Sequence, residues 1–178
     1  MGTLVTILVV LLIAVLVLAT TKPATLHVER SASINAPPER IFAFINDFRS
    51  WSNWSPYARK DPGMKLTLGS ITAGKGAVYE WDGDRNVGQG RMELVDAVPP
   101  SKATIKLDFS RPMEAHNVVT FSLVPQDGQT RVTWAMDGPM PFMSKVMSVF
   151  MNMDTMIGKD FEVGLANLKD VAEQKTIA

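Results

Sequence analysis

Arg30 occupies an unusual position in this sequence, because it shares the apolar side of an alternating segment with Val28. A buried cation is tolerated only when an anion lies close to it. Three carboxylates near the end of the chain are candidate partners: Asp154, Asp160 and Glu162. We favour a structural ion pair over catalysis for Arg30. The alternative is that Arg30 enters a cavity and binds a carboxylate or phosphate head group through two parallel hydrogen bonds.

Acid–base catalysis would require a proton donor and a proton acceptor in one cavity. Arg30, Glu80 and Asp154 are the candidates that the sequence offers for such a pair. His27 and His116 are out of phase with the apolar residues around them, so both are predicted to face solvent. No serine has the flanking glycines of a nucleophile elbow. These features favour binding over catalysis.

Composition argues against several other kinds of site. The chain has no cysteine and only 2 histidines, far apart in sequence, so no metal site is predicted. The glycines in segments 74–76 and 88–90 do not open helices, so they do not form phosphate loops. The 18 basic and 18 acidic residues cancel, which leaves no basic surface for nucleic acid. The sequence therefore predicts no cofactor, no metal and no nucleic-acid partner.

The apolar side chains that share one face of the predicted strands and of the last helix describe a ligand cavity. Its predicted lining residues are Tyr79, Trp81, Met92, Phe109, Phe121, Trp134, Met136, Met147, Phe150, Met153, Ile157 and Phe161. Arg30 and Asp154 are the polar groups that this cavity could contain. Each apolar residue taken singly also suits an ordinary core. The small residues Gly90 and Ala115 are expected to leave room on the same face.

A sheet must position these side chains. Six runs between Gly63 and Asp137 alternate apolar and polar residues, and another strand covers residues 26–35. Short turns between neighbouring strands indicate an antiparallel sheet with one apolar face. Two helical segments follow the first strand. Trp51 and Trp54 are predicted to pack the second helical segment against the edge of the sheet. The alternative is that these two residues form a lid over the cavity.

Residues 140–173 predict the long helix that covers the apolar face of the sheet. Its apolar residues recur in steps of three and four, at Val146, Phe150, Met153, Ile157, Phe161, Leu165, Leu168 and Ala172. An unbroken helix would be roughly 50 Å long, so we expect a kink near Gly158 or a separate first segment. The predicted fold class is α+β, with a curved seven-strand antiparallel sheet around the C-terminal helix.

Methionines are concentrated in this helix, with six of the eleven between Met140 and Met156. Flexible methionine side chains adapt to varied apolar ligands. Two alternatives stay open at this point. The methionines are ordinary core residues, or they form an apolar surface that lies on a membrane or on a partner protein.

The first residues of the chain predict a membrane anchor. Residues 4–19 carry no charge, and about 20 apolar residues suffice to cross the hydrocarbon core as a helix. A cleaved signal peptide is the alternative, but no basic residue precedes the apolar run. We assign residues 1–21 to the anchor, 22–25 to a linker, 26–174 to one domain and 175–178 to a tail. Membrane contact is expected through residues 4–20, and the side on which the domain lies is left open.

Several segments are similar to one superfamily. They are Val28-Glu29-Arg30-Ser31, the run from Ile34 to Phe42, Trp51-Ser52-Asn53-Trp54-Ser55-Pro56, and the tail from Met153 to Glu162 with Gly164-Leu165. With the order of elements, they resemble the START-like (SRPBCC) superfamily, and within it the bacterial polyketide cyclase/dehydrase-like proteins with an N-terminal membrane anchor. The resemblance covers about residues 25–173. It implies a helix-grip fold with a mostly apolar cavity between sheet and helix, and it carries no catalytic residues over to this chain.

The sequence thus predicts a membrane-anchored domain that binds a small hydrophobic or lipid-like ligand between the sheet and the C-terminal helix. A cyclase, dehydratase or hydrolase acting on a hydrophobic substrate is one alternative. A protein-interaction module, in which the methionine-rich helix docks a partner, is the other. The identity of the ligand and the oligomeric state are left open.

Overall fold

The computed structural model describes residues 2–174, and the predicted tail at 175–178 lies outside the described residues. The helices are α1 (Gly2–Thr20), α2 (Pro38–Asn46), a 3-10 helix (Phe48–Asn53), α3 (Pro56–Lys60), α4 (Phe142–Phe150) and α5 (Met153–Glu173). The strands are β1 (Thr25–Ile34), β2 (Lys65–Leu68), β3 (Val78–Asp82), β4 (Gln89–Val98), β5 (Lys102–Arg111), β6 (Ala115–Gln126) and β7 (Gln129–Pro139).

The seven strands form one antiparallel sheet in the order β1-β7-β6-β5-β4-β3-β2. Each strand from β2 onward pairs with its sequence neighbour, and β1 closes the sheet against β7. Period-two alternation puts the apolar residues on the concave side, where helices cover them. The fold is therefore α+β and of the helix-grip type, which confirms the predicted fold class.

The helix α5 packs against the sheet mainly along β1. Its buried stripe contains Phe161, Leu165, Leu168 and Ala172, as the three-four spacing predicts. Burying a Phe or Leu side chain fully contributes roughly 1.5–3 kcal/mol. The stripe therefore supplies several kilocalories per mole toward holding α5 on the sheet.

The predicted C-terminal helix consists of two helices, because the chain turns at Met151 and Asn152. The side chain of Asn152 accepts a hydrogen bond from the backbone N–H of Thr155, at 3.0 Å, and so caps the start of α5. Of the two expected interruptions, a separate first segment is the one observed. The helix α4 has no buried residue and packs against α1 rather than over the sheet.

Trp51 and Trp54 lie in the middle of the core, so their predicted place at the sheet edge is wrong. Trp54 contacts Phe121 and Trp134, which belong to the adjacent strands β6 and β7. The indole N–H of Trp51 donates to the carbonyl of Ile45, at 2.9 Å. This bond satisfies a buried donor and fixes the ring. The 3-10 helix and the residue that follows it thus insert two large rings into the space over the sheet.

The helix α1 is long and apolar enough to cross a membrane. Nearly all of it projects from the domain. Ala19 is buried and Val15 is half-buried, one helical turn earlier on the same face. The backbone N–H of Met140 donates to the carbonyl of Ala24, at 2.8 Å, which joins the exit from α1 to the segment before α4.

Candidate functional site

The predicted cavity residues of the sheet lie in a packed aromatic core. Six of them are buried, and so is Phe161 of α5; the six are Tyr79, Trp81, Met92, Phe121, Trp134 and Met136. Phe161 of α5 stacks on Trp134 with ring centroids 4.2 Å apart and planes 11° from parallel. Trp54 stands edge-on to Trp134 at 5.6 Å. These rings interlock across the space between sheet and helix, which is an arrangement typical of a core.

Gly90 does not leave open space, contrary to the expectation from sequence. The ring of Trp81 lies directly over Gly90, and a Cβ added there would clash with that ring and with the backbone of Asp108. Phe109, on the neighbouring strand, meets Trp81 edge-on at 5.4 Å. The missing side chain of Gly90 therefore accommodates a tryptophan of the protein itself.

Of the remaining predicted cavity residues, Phe109 and Ile157 are half-buried against this core, whereas Met147, Phe150 and Met153 lie outside it. Met147 and Phe150 are exposed on α4, and Phe150 keeps 71% of its surface accessible. Met153 and Ile157 are half-buried in the first turns of α5. That these side chains contact a ligand stays a prediction, and Phe150 and Met153 are the two that line a pocket at the α1–α4–α5 junction.

A pocket of about 530 Å³ opens at this junction, and we call it the junction pocket. Its lining residues are Lys22, Pro23, Thr25, Leu26, His27, Met140, Ser148, Val149, Phe150, Met151, Asn152, Met153 and Asp154. One wall is apolar and rich in methionine. The other carries the cation Lys22, the imidazole of His27 and the carboxylate of Asp154. The pocket therefore suits a molecule with both an apolar and a polar part.

Arg30 binds two of the three carboxylates expected as its partners. Its Nη2 lies 3.0 Å from Oδ2 of Asp154, and its Nε lies 2.9 Å from Oε1 of Glu162. The hydrogen bond from Arg30 holds the pKa of Asp154 below its usual value, and the same contacts raise the pKa of Arg30. Asp160 instead pairs with Lys60 of α3, at 2.6 Å. Asp154 therefore shares the positive charge of Arg30 with Glu162 beside the junction pocket.

Glu80 lies on the opposite face of the sheet from the aromatic core. It borders a pocket of about 820 Å³ at the β3–β4–β5 end of the sheet, whose lining includes Lys65, Arg91, Asp108 and His116 and also Trp81, Gly90 and Phe109. Its carboxylate is 3.4 Å from Nε of Arg91. Arg30, Glu80 and Asp154 are therefore not brought together in one cavity, and both carboxylates face an arginine. Within residues 2–174, no cluster of three His, Asp or Glu side chains has the arrangement of a metal site.

Comparison with known families identifies the relatives of this chain. Residues 25–173 match the family model described as polyketide cyclase / dehydrase and lipid transport. The chain belongs to this family. The match covers every strand together with α2 to α5 and leaves out α1. Membership in the polyketide cyclase / dehydrase and lipid transport family, together with the fold, supports a ligand-binding or cyclase-type domain. A comparison with curated protein sequences gives no significant match.

Solved structures share the fold of this family at low sequence identity. Protein CV1439 from Chromobacterium violaceum is 16% identical, with a TM-score of 0.61 over 86% of this chain and 100% of that one. The Aha1 dimer from Colwellia psychrerythraea is 16% identical, with a TM-score of 0.59 over 83% of this chain and 96% of that one.

The di-domain ARO/CYC protein BexL, from the BE-7585A biosynthetic pathway, has a TM-score of 0.64 at 15% identity. The alignment covers 89% of this chain and 53% of BexL, so this chain spans about half of that protein. At such identities, the likenesses to BexL and to the other two structures establish the fold alone.

Proposed function

We propose that this protein is a membrane-anchored domain that binds a small amphipathic molecule of the lipid class in the junction pocket. The observation that carries the proposal is the position of this pocket. Its apolar and charged walls meet where the membrane-length helix α1 joins the domain. The lipid-transport part of the family description agrees with this choice.

The apolar wall suits an acyl chain or a similar apolar group. Met140, Met151 and Met153 contribute flexible thioether side chains that adapt to a ligand without a fixed shape. Phe150 adds a large ring at the end of α4. Burying each CH₂ of a ligand against such a wall contributes about 0.8 kcal/mol, so a chain of several carbons supplies useful affinity.

The polar wall suits an anionic head group. Lys22, just after α1, supplies a positive charge, and His27 of β1 also lines the pocket. A hydrogen bond to Asp137 raises the pKa of His27, and the same carboxylate, 2.6 Å away, compensates the charge of the protonated ring. Asp154 is paired with Arg30, which it shares with Glu162. Lys22 then supplies the positive charge of this wall, and that charge favours a phosphate or carboxylate as the polar part of the ligand.

The anchor places the junction pocket beside its source of lipid. The 19 residues of α1 extend roughly 28 Å as a helix, close to the ~30 Å of a hydrocarbon core. A lipid that enters the pocket from the same membrane does not cross bulk water. The catalytic alternative is less favoured, because Glu80 and Asp154 are each paired with an arginine and lie in separate pockets.

Native mass spectrometry of the full chain, released from detergent after addition of phosphatidylglycerol, tests the ligand. We expect one bound lipid for the unaltered protein and loss of most of it for Met153→Trp, which fills the pocket. Val124→Trp, at a 57% exposed position on β6, is the matched control and should keep its lipid. Equal lipid occupancy in both variants would overturn the junction pocket as the site.

The anchor is tested separately, by intact mass and by flotation of membranes after an alkaline wash. We expect a mass that includes residues 2–21 and a chain that stays with the membranes. A mass that lacks these residues would show a cleaved signal peptide and would refute the anchor.

A further inference from the structure

The helix α4 exposes apolar side chains and turns its polar ones toward the protein. Its exposed residues are Phe142 at 50%, Met143 at 62%, Met147 at 37% and Phe150 at 71% accessibility. Its serines and its one charged residue, Ser144, Lys145 and Ser148, are half-buried. A surface helix of a protein in water shows the opposite distribution. The exposed face of α4 is therefore arranged for an apolar medium.

The helix α1 sets the location of this apolar face. α4 packs against α1, and the covered positions of α1 are Val15 and Ala19, in its last two turns. The hydrogen bond between Met140 and Ala24 holds the start of α4 beside the exit from α1. α4 therefore lies along the C-terminal end of the anchor.

The length of α1 then fixes the depth of α4. A helix of 19 residues is about 28 Å long, and a hydrocarbon core of roughly 30 Å requires nearly all of it. Val15 precedes the end of α1 by five residues, which is about 7 Å along the axis. An element that packs on Val15 and Ala19 consequently reaches the boundary between head groups and acyl chains.

We infer that α4 is an interfacial helix that inserts Phe142, Met143, Met147 and Phe150 into the bilayer that α1 spans. This inference rests on the anchoring part of the proposed function. A bilayer is the favoured occupant because α4 packs against α1, whose apolar side chains are exposed along most of its length. Amphipathic helices in interfaces typically bury their apolar face about 5–10 Å into this boundary.

The insertion has a direct consequence for the junction pocket. Phe150 belongs both to the exposed face of α4 and to the lining of the pocket. With α4 in the interface, this side of the pocket opens toward lipid rather than toward water. The domain is also held in one orientation by two membrane contacts instead of one.

Site-directed spin labelling tests this inference in the full chain, which has no cysteine of its own. Single nitroxides are attached at Met143→Cys and Phe150→Cys, and the protein is reconstituted in vesicles of equimolar phosphatidylcholine and phosphatidylglycerol. The control is Asp127→Cys in the β6–β7 turn. That turn lies at the far end of β7, because Thr25 at the start of β1 pairs with Pro139 while Ile34 pairs with Thr130.

Collision rates with lipid-soluble oxygen and with a water-soluble nickel complex give the result. We expect labels at 143 and 150 to meet oxygen severalfold more, and nickel severalfold less, than the label at 127. Equal nickel accessibility at all three positions would overturn the inference. Shielding of positions 143 and 150 from both reagents would also overturn it, because it would indicate a second copy or a partner protein on α4.

Flotation of the same vesicles separates this inference from the anchor. A chain that floats while α4 stays accessible to nickel refutes the interfacial helix and leaves the anchor standing. A chain that does not float refutes the anchor, and the interfacial helix with it.

Discussion

The guanidinium of Arg30 occupies the space in which any residue other than glycine at position 158 would place its Cβ. From this position it reaches Asp154 and Glu162, which are four residues before and four residues after Gly158. All three positions share one face of α5. A single side chain from β1 therefore spans two helical turns and holds α5 on the edge strand of the sheet.

Gly158→Ala should destabilise the domain by displacing Arg30 from α5. Overpacking of this kind costs about 1–3 kcal/mol, which exceeds the gain in helix propensity from alanine. Urea unfolding of the full chain in detergent, followed by tryptophan fluorescence, measures the change. Gly63→Ala is the matched control, because a Cβ at Gly63 meets only Asp61 at an ordinary 3.4 Å.

A double-mutant cycle identifies Arg30 as the cause. The methionine in the variant Arg30→Met can move aside. In this background, Gly158→Ala should lower the free energy of unfolding clearly less than it does in the unaltered protein. An unchanged cost in the two backgrounds would show that the strain at Gly158 has another origin.

Phe161→Ala and Phe150→Ala should differ widely, although both residues belong to the apolar stripe of the C-terminal segment. Phe161 is 2% exposed and stacks on Trp134, so its loss should cost about 3–5 kcal/mol. Phe150 lies on the surface of α4, and its loss should change the free energy of unfolding in detergent by less than about 0.5 kcal/mol. Similar losses of stability would contradict the division of the stripe between a core helix and a surface helix.

Thr130→Val should destabilise the start of β7 while keeping the shape of the side chain. Thr130 is 1% exposed, and its hydroxyl donates to the carbonyl of Ala36 at 2.7 Å. Leaving a buried acceptor without this partner costs about 1–3 kcal/mol. The control is Thr133→Val, whose hydroxyl contacts Ser31 at a more exposed site. Thermal unfolding should give a lower midpoint temperature for Thr130→Val than for Thr133→Val. Equal midpoint temperatures would contradict a stabilising role for the Thr130 hydrogen bond.

The two histidines should both titrate above their ordinary pKa of 6.5. Hydrogen bonds to Asp137 and Asp108 raise the pKa of His27 and His116, respectively. A raised pKa in the folded state contributes stability that is fully present below pH 6.5 and is lost as the pH rises through the folded-state pKa. The effect should be small because both rings are exposed.

Proton NMR resolves the two imidazoles directly. Asp137→Asn should lower the pKa of His27 and leave that of His116 unchanged, so His116 serves as the internal control. A His27 pKa at or below 6.5 in the unaltered protein would contradict the prediction.

The order of elements and the buried face of the sheet could be predicted because strand periodicity is a local property. Tyr79 and Trp81 are buried and Glu80 between them is exposed, as alternation requires. Arg30 was recognisable for the same reason, since it is a charge on an apolar face. Two of its three expected carboxylates proved to be its partners.

The filling of the concave face could not be predicted, because it depends on contacts between distant segments. Trp51 and Trp54 lie in a stretch with serines and a proline, which is typical of a loop. Their place in the core follows from the 3-10 geometry and from an indole bond to Ile45. From the sequence, Gly90 predicts open space on the concave face, and only the neighbouring strand shows that Trp81 fills it. The break before α5 did have a local signal, since Asn152 is a residue that favours helix N-caps.

The short connection between α1 and β1 limits the distance between the domain and the end of α1. Only residues 21–24 join the two elements, and four residues extend at most about 14 Å. The hydrogen bond from Met140 to Ala24 shortens this tether further. If α1 spans a membrane and the domain binds a lipid, as proposed, a domain on so short a tether cannot shuttle that lipid between two separate membranes. Exchange would be confined to the leaflet beside it, and delivery elsewhere would require a second carrier that docks at that leaflet.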